Sequence, residues 1–345
     1  VSKKQALRAR RKWMISFRIA VLILIPTSYF GYQSMGVYRA LDNLDTSKNE
    51  LQIGAHQEDE SMKPVEWTGT EPVNILLMGG DNRGLKKNES ARSDSLLVAS
   101  INPLTKEARL FSVLRDTYIP IEGHGEGRIN TSLALGGPNL AMKTVGVLLD
   151  LHIQYYVYTD FEGFKSLIDA IGGIDLDVDK DMNYTDNADG NLYDIHLTKG
   201  MQKLDGTKAL QYVRFRHDAM SDFARTERQR KLLAAIADKL KSGWNLTRMK
   251  QIAESAAPYI QTNLDVSDML KLASLGSKSE LAGTAQVPPM DLLEGKKVNG
   301  ASVLAVKSQD KVHEFVKEIL KNSDDTEQSG LNTDTTGAKV GDGGE

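Results

Sequence analysis

Four clusters in the chain combine residue types suited to phosphate chemistry. The first, Gly79-Gly80-Asp81-Asn82-Arg83-Gly84, directly follows an apolar stretch. Glycines let a backbone approach an anion, and loops leaving strand ends in α/β sheets are common ligand sites. The loop lacks the Gly-Lys-Ser/Thr ending of a Walker motif. The second cluster is Arg92-Ser93-Asp94-Ser95; on a strand, Arg92 and Asp94 share a face. The third is Leu114-Arg115-Asp116, with Arg128-Ile129-Asn130 shortly after. The fourth and densest is Tyr212-Val213-Arg214-Phe215-Arg216, followed by Asp222, Arg225, Arg228 and Gln229. Read as a strand, it sets Arg214 and Arg216 on one face, opposite Val213 and Phe215. Arg225, Arg228 and Gln229 stand at i, i+3 and i+4, one face of a helix.

Like charges so close together repel unless an anion or acids lie between them. Guanidinium forks match phosphate oxygens bidentately, which makes phosphate the natural counterion. A helix starting near Asp222 adds its dipole. Asp81 and Asp94 are carboxylates in basic surroundings. A hard cation such as Mg²⁺, or Mn²⁺ in its place, binds through one or two carboxylates plus phosphate oxygens. The plainer readings are a tight turn, surface salt bridges at strand ends and a solvated basic helix face. His124 and His217 are isolated. Asp179-Lys180-Asp181-Met182-Asn183 imitates a calcium loop, but Tyr184 stands where the glycine belongs.

The elements that must position these groups alternate. Val73–Met78 reads as a strand, as do Ser95–Ile101 and Glu107–Leu114, which are joined by a turn at Asn102-Pro103. So short a connection makes the last two antiparallel. Arg92 and Asp94 therefore meet Arg115 and Asp116 at one edge of the sheet. Helices are expected from Pro138 to Leu149 and from a cap at Asp160 to Ile171. The second carries Phe161, Phe164, Leu167, Ile168 and Ile171 on one face and stops at Gly172-Gly173. Tyr155–Tyr158, Ile174–Val178 and Leu210–Arg216 read as strands, and Asp222–Leu240 as a helix. The pattern predicts a mixed sheet with helices on both faces.

The chain has 345 residues, 40% of them hydrophobic and 26% charged, which suffices for a normal core. Its net charge of −3 gives no argument for nucleic acid. The N-terminus is asymmetric. Residues 1–18 hold seven Lys and Arg and no acid, and Ile19 to Tyr38 is uncharged. As a helix those 20 residues span about 30 Å, the thickness of a hydrocarbon core. Trp13 precedes the run, and Tyr29, Tyr32 and Tyr38 lie towards its far end, as an aromatic belt would. No small-x-small cleavage site follows, so an uncleaved anchor is expected in place of a signal peptide. The basic flank places residues 1–18 in the cytoplasm and about 300 C-terminal residues outside. Residues 39–70 read as a spacer, 71–320 as the folded region and 321–345 as a disordered tail. There is no cysteine, which excludes disulfides, thiolate metal sites and thiol nucleophiles.

With these residues in place, the chain resembles the LytR-CpsA-Psr family of cell-wall glycopolymer transferases. The resemblance rests on Asn74-Ile75-Leu76-Leu77-Met78-Gly79 running into Asp81 and Arg83, then on Arg92-Ser93-Asp94-Ser95, Leu114-Arg115-Asp116 and Arg128-Ile129-Asn130. It continues from Gly200-Met201-Gln202-Lys203-Leu204-Asp205-Gly206 through Tyr212–Arg216 to Asp222, Arg225, Arg228 and Gln229, so the motifs cover 74–230. It implies a three-layer α/β/α fold with a mixed central sheet, preceded by one transmembrane helix, and a hydrophobic pocket for a polyprenyl chain. It further implies that Arg83, Arg92, Arg115, Arg214, Arg216, Asp222, Arg225 and Gln229 surround a lipid diphosphate, with Asp81 and Asp94 near Mg²⁺. Asp94, Arg115, Arg214 and Arg216 would carry the chemistry. Arg128, Arg228 and Asp116 are secondary members of the group.

The implied reaction moves a glycopolymer such as teichoic acid or capsule from undecaprenyl diphosphate to a peptidoglycan sugar hydroxyl. The implied setting is the outer face of the cell membrane in a Gram-positive-type envelope. Two other readings stand beside it. One is a non-catalytic polyprenyl-phosphate or wall-binding module, in which the same arginines bind without turnover. The other is a membrane-bound transcriptional attenuator, which requires DNA access and a helix-turn-helix that the sequence does not suggest.

Overall fold

A computed structural model describes residues 35–42, 67–80, 92–185, 194–216, 221–242, 245 and 248–321. In chain order, helix α1 covers residues 35–42, followed by strands β1 (Val73–Gly80), β2 (Ser93–Asn102), β3 (Glu107–Val113), β4 (Thr117–Ile121) and β5 (Gly125–Arg128). Helix α2 (Ser132–Leu149), strand β6 (Tyr155–Asp160) and helix α3 (Phe161–Ala170) come next. Strands β7 (Ile174–Val178), β8 (Met182–Tyr184), β9 (Ile195–Leu197) and β10 (Gly200–Leu204) lead to helices α4 (Gly206–Arg214), α5 (Ser221–Lys241) and α6 (Met249–Ala256). The last part comprises β11 (Ile260–Thr262), α7 (Val266–Lys278), β12 (Glu280–Val287), β13 (Leu293–Val298), β14 (Ala301–Val306) and α8 (Gln309–Lys321).

The central sheet has six strands in the order β11-β6-β1-β2-β3-β12. It is mixed: β1 runs parallel to β6 and β3 to β12, while β1–β2, β2–β3 and β6–β11 are antiparallel. The expected β2–β3 hairpin is present, with Leu96 opposite Val113. Alternation along β1 splits the core. Leu76 and Met78 face a cluster with Phe111, Val145 and Leu148 of α2 and Val312 and Val316 of α8. Val73 and Ile75 face the other way, onto Trp67, Tyr155 and Leu272 of α7. A third cluster joins α3, α4, α5 and α6 to β7–β10 through Ile168, Leu204, Tyr212, Leu232 and Ile252. Helices therefore cover both faces of the sheet.

Local chemistry explains the helix limits. Asp160 caps α3 by accepting a hydrogen bond from the Gly163 amide, 2.9 Å, and Gly172 and Gly173 stop the chain with φ of 83° and 79°. In α2 the helix breaks at Gly136-Gly137 and resumes at Pro138, the residue from which a helix is expected.

One expected element is different. Leu210–Arg216 is not a strand. Residues Gly206–Arg214 form α4, capped by the Asp205 carboxylate on the Lys208 amide, 2.8 Å. The alternation in Tyr212–Arg216 suggests a strand, but five residues of period two compete with a capped turn that buries Ala209, Leu210 and Tyr212. The cap and the 209/212 spacing are the signal of a helix.

Among the described residues no helix is long and apolar enough to cross a membrane. The expected span over 19–38 lies outside them apart from its last four residues, which open α1. Most of the 39–70 spacer and the tail beyond Lys321 also lie outside the described residues.

Candidate active site

The candidate site lies at the edge where β1, β3 and β6 end and β2 begins. A cavity of about 620 Å³ opens there, within the ordinary 300–1,000 Å³ range of ligand sites. Its floor is a row across three strands: Val157 of β6, Leu77 of β1 and Leu97 of β2. One pleat nearer the edge the row is Thr159, Gly79 and Ser95. At the rim stand Asp94 and Arg115. The floor therefore grades from apolar through polar to charged.

Helix α5 repeats the gradient. Arg225, Gln229, Leu232 and Ile236 all line the cavity, at steps of four, three and four residues, which is one helix face. Gln229 lies beside the floor, with the Ser95 hydroxyl donating to its Oε1 at 3.4 Å. Phe161, Phe164 and Leu167 of α3 form another wall, and Leu210, Val213, Arg214 and Arg216 close it from the end of α4. The Arg214 guanidinium lies 5.3 Å from the Phe161 ring centre. Among the described residues, four arginines against two carboxylates, Asp94 and Asp160, leave two positive charges on the lining.

Arg115 is held at the rim by its neighbours. Its Nη1 donates to Asp94 Oδ1 at 2.6 Å, and its Nε lies 3.6 Å from Asp116 Oδ2. Asp116 Oδ1 in turn accepts from Arg128 Nη1 at 3.3 Å. The backbone is pinned as well. The Asn130 amide donates to the Arg115 carbonyl, 3.2 Å, and the Thr117 amide and hydroxyl donate to the Leu114 carbonyl. The hairpin argument thus places Asp94 and Arg115 together.

Six expected residues line the one cavity: Asp94, Arg115, Arg214, Arg216, Arg225 and Gln229. Arg92 is exposed at the start of β2 and is not on the lining. Asp116 and Arg128 are one step behind Arg115. Arg228 faces away from the cavity. It is buried, donates to the Phe215 carbonyl at 2.6 Å and lies 5.4 Å from the Phe215 ring centre. Burial lowers its pKa, although it stays a cation. Asp81 and Arg83 lie outside the described residues, as does the side chain of Asp222, whose backbone is in the first turn of α5.

The apolar residues on α4, α5 and β9 were not expected at the site; the signal was the 225/229/232/236 stripe. Of the two expected helices, α3 walls the cavity, whereas α2 packs on the opposite face of the sheet.

Asp94 uses one oxygen for Arg115 and has its second without a hydrogen-bond partner among the described residues. Among those residues no group of three or more His, Cys, Asp or Glu could hold a metal by itself. A carboxylate such as Asp94 beside an arginine rim would fit a hard cation that shares phosphate oxygens, not a closed protein cage.

Residues 37–321 match the LytR_cpsA_psr family. The polyisoprenyl-teichoic acid–peptidoglycan teichoic acid transferase TagV of Bacillus subtilis is 30% identical over 322 residues, 92% of this chain and 80% of TagV. The transferase TagU of Enterococcus faecalis is 36% identical over 231 residues, 66% of this chain and 74% of TagU. The structure of YwtF (TagT) with bound octaprenyl pyrophosphate lipid superposes with a TM-score of 0.55 at 26% identity. Family profile and relatives agree that the chain is a member of the LytR_cpsA_psr family.

Proposed function

We propose that the chain is a phosphotransferase that moves a glycopolymer, teichoic acid or capsule in kind, from undecaprenyl diphosphate to a peptidoglycan sugar hydroxyl. One observation carries this reading. A single cavity has an apolar interior on Val157, Leu77, Leu97, Leu232 and Ile236 and an arginine rim at Arg115, Arg214, Arg216 and Arg225. That gradient suits an amphiphile with an anionic head and a long apolar tail. Relatives named as teichoic acid transferases and a structural neighbour holding a polyprenyl pyrophosphate support the same assignment.

In this reading the isoprenoid enters the apolar half, each buried methylene contributing about 0.8 kcal/mol. The diphosphate then lies among the rim arginines, which accept it bidentately. The acceptor hydroxyl oxygen attacks the sugar-side phosphorus. A new P–O bond forms, the phosphoanhydride P–O bond breaks, and undecaprenyl phosphate leaves. Arg115, Arg214 and Arg216 stabilise the charge that gathers on the phosphoryl oxygens. Asp94, through its oxygen not engaged by Arg115, accepts the hydroxyl proton or ligates Mg²⁺. Asp94, with Asp81, would hold the ion, which when bound supplies Lewis-acid polarisation of phosphoryl oxygens. The uncharged run before α1 anchors the chain at the outer membrane face, where such a substrate is presented.

The test is direct. The full chain in detergent is incubated with a polyprenyl-diphosphate-linked glycopolymer, peptidoglycan fragments and Mg²⁺. Labelled glycan should appear on the fragments together with free polyprenyl monophosphate. Tight donor binding without either product would replace the transferase with a binding module.

A further inference from the structure

The uncharged run of the N-terminus ends inside the folded part of the chain. Its last four residues, Met35 to Tyr38, belong to α1. One turn apart on that helix, Gly36 and Ala40 are buried, Ala40 at 1% exposure. The stem of Lys250 lies on Gly36: a Cβ there would fall 2.5 Å from Lys250 Cδ and 2.7 Å from Cε. Helix α1 is thus seated, through Gly36, on Lys250 of α6.

From α6 the packing continues to the cavity. Ile252 of α6 shares a buried cluster with Ile168 of α3, and Phe161, Phe164 and Leu167 of α3 form the cavity wall. Just beyond α6, Tyr259 lies against Gly163 of α3, and Ile260 lines the cavity. The chain's apolar run is therefore connected to the α3 wall by one continuous stack of helices.

The outward side of α1 carries Met35, 56% exposed, and Tyr38, 54% exposed, beside exposed Arg39. Docking of α1 also shortens any span. Of 20 uncharged residues, four are in α1, which leaves 16. As a helix these reach about 24 Å, short of the roughly 30 Å hydrocarbon core. A short span draws its flanking residues towards the interface, where Tyr and Arg are favoured. Met35, Tyr38 and Arg39 are the flank here.

We propose that α1 lies in the headgroup layer of the bilayer and, through its seat on α6, holds the α6–α3 flank against the membrane. The partner of this flank is a phospholipid surface, and the cavity wall nearest to it is α3. The inference rests on the anchored reading given under Proposed function and adds an orientation to it.

The absence of cysteine permits a clean test. Single cysteines replace Tyr38, Tyr259 and, as control, Leu104 in the full chain, each carrying a nitroxide label. Leu104 is 79% exposed at the β2–β3 turn, about 30 Å along β2 from the site edge. The chain is reconstituted into phosphatidylglycerol–phosphatidylethanolamine vesicles. Spin relaxation by oxygen is then compared with relaxation by a water-soluble nickel complex. Labels at 38 and 259 should show an oxygen-to-nickel ratio severalfold above that of the label at 104. Gly36→Leu, which displaces the Lys250 stem, should keep the chain on vesicles yet turn position 259 towards nickel. Lys250→Ala, which removes the same contact from the other side, should act in the same direction.

A label at 259 as open to nickel as that at 104 would overturn the orientation while leaving the anchor intact. A label at 38 shielded from both reagents would assign the face to a protein partner instead. Failure of the chain to float with vesicles would overturn the anchor itself.

Discussion

Neutralising Asp94 and neutralising Arg115 should damage the site in different ways, although the two side chains form one ion pair at 2.6 Å. Arg115→Ala removes a rim cation. Loss of one such donor costs on the order of 10²–10³ in rate, about 2.7–4 kcal/mol. It also weakens donor binding, because the same guanidinium meets the diphosphate in the ground state. Asp94→Asn removes the acid that competes for Arg115. A phosphate oxygen on the far nitrogen of Arg115 lies about 5–6 Å from that carboxylate. At an effective dielectric of about 40–80 the relieved repulsion is roughly 0.7–1.6 kcal/mol. Without added Mg²⁺, donor binding should therefore tighten about three- to fifteen-fold. Transfer should still fall at least about 10²-fold, because the carboxylate that takes the proton or holds the cation is gone.

Neither change should unfold the protein. The side chains are 25% and 37% exposed, so the pair contributes about 1 kcal/mol or less to folding. Calorimetric titration of the full chain in detergent with a short-chain polyprenyl diphosphate gives the affinities. Single-turnover transfer gives the rates. If Asp94→Asn weakens binding as far as Arg115→Ala does, the assignment of Asp94 to the chemical step fails. If Arg115→Ala binds within twofold of the parent, the rim is not the diphosphate site.

Three further outcomes are expected. Val157→Trp, on the apolar row of the cavity floor, should weaken binding of a long-chain polyprenyl diphosphate at least tenfold in competition assays; inorganic diphosphate, which needs only the rim, should be unaffected. Arg230 of α5 donates to the Ser112 hydroxyl, and burial lowers its pKa more than the nearby Glu227 carboxylate raises it; Arg230→Met should leave stability unchanged or raise it by up to about 2 kcal/mol in urea titrations. Burial, with Asp179 adding to it, pushes the Tyr212 phenol up to about 12. The folded state thus keeps a proton that the unfolded chain loses near pH 10, so this contribution is intact below pH 10 and is lost as the pH rises towards 12, by at most about 3 kcal/mol. Urea midpoints at pH 9 and 12 should converge in Tyr212→Phe relative to the parent.

The hairpin was the most legible part of the site. Asn102-Pro103 leaves room only for an antiparallel return, so Asp94 and Arg115 had to meet, and they do. Arg225 and Gln229 were legible because helix spacing is a strong signal over the 21 residues of α5. Arg214 and Arg216 were placed correctly at the cavity but on the wrong element. A five-residue alternation cannot outweigh a capped helix, and the helix ends at Arg214, where Arg214 and Arg216 line the rim. Arg228 misled for a different reason. It shares the expected helix face with Arg225 and Gln229, yet the chain folds Phe215 under it, and the ring and carbonyl hold its guanidinium away from the cavity. Sequence spacing fixes a face to within about 50° on a helix, and which neighbour fills that arc is a tertiary fact.

Helix α5 shows why the polar and apolar requirements of the site are coupled. Arg225 and Gln229 lie at its N-terminal part, and Leu232 and Ile236 follow on the same face. About 1.5 Å of rise per residue separates them, so roughly 16 Å of one rigid helix runs from the anion rim to the apolar interior. The floor makes the same transition in two pleats, from Asp94 and Ser95 to Leu97. Head and tail of a bound amphiphile are therefore measured against a single helix and a single strand, each of fixed pitch. A donor whose diphosphate is seated at Arg225 has the start of its tail at Leu232 whatever the length of the glycan beyond the rim. In the proposed reading the glycan would lie beyond the rim, and the rigid gradient would select for the lipid carrier. On this geometry, discrimination among glycopolymers has to come from surfaces beyond the arginine rim.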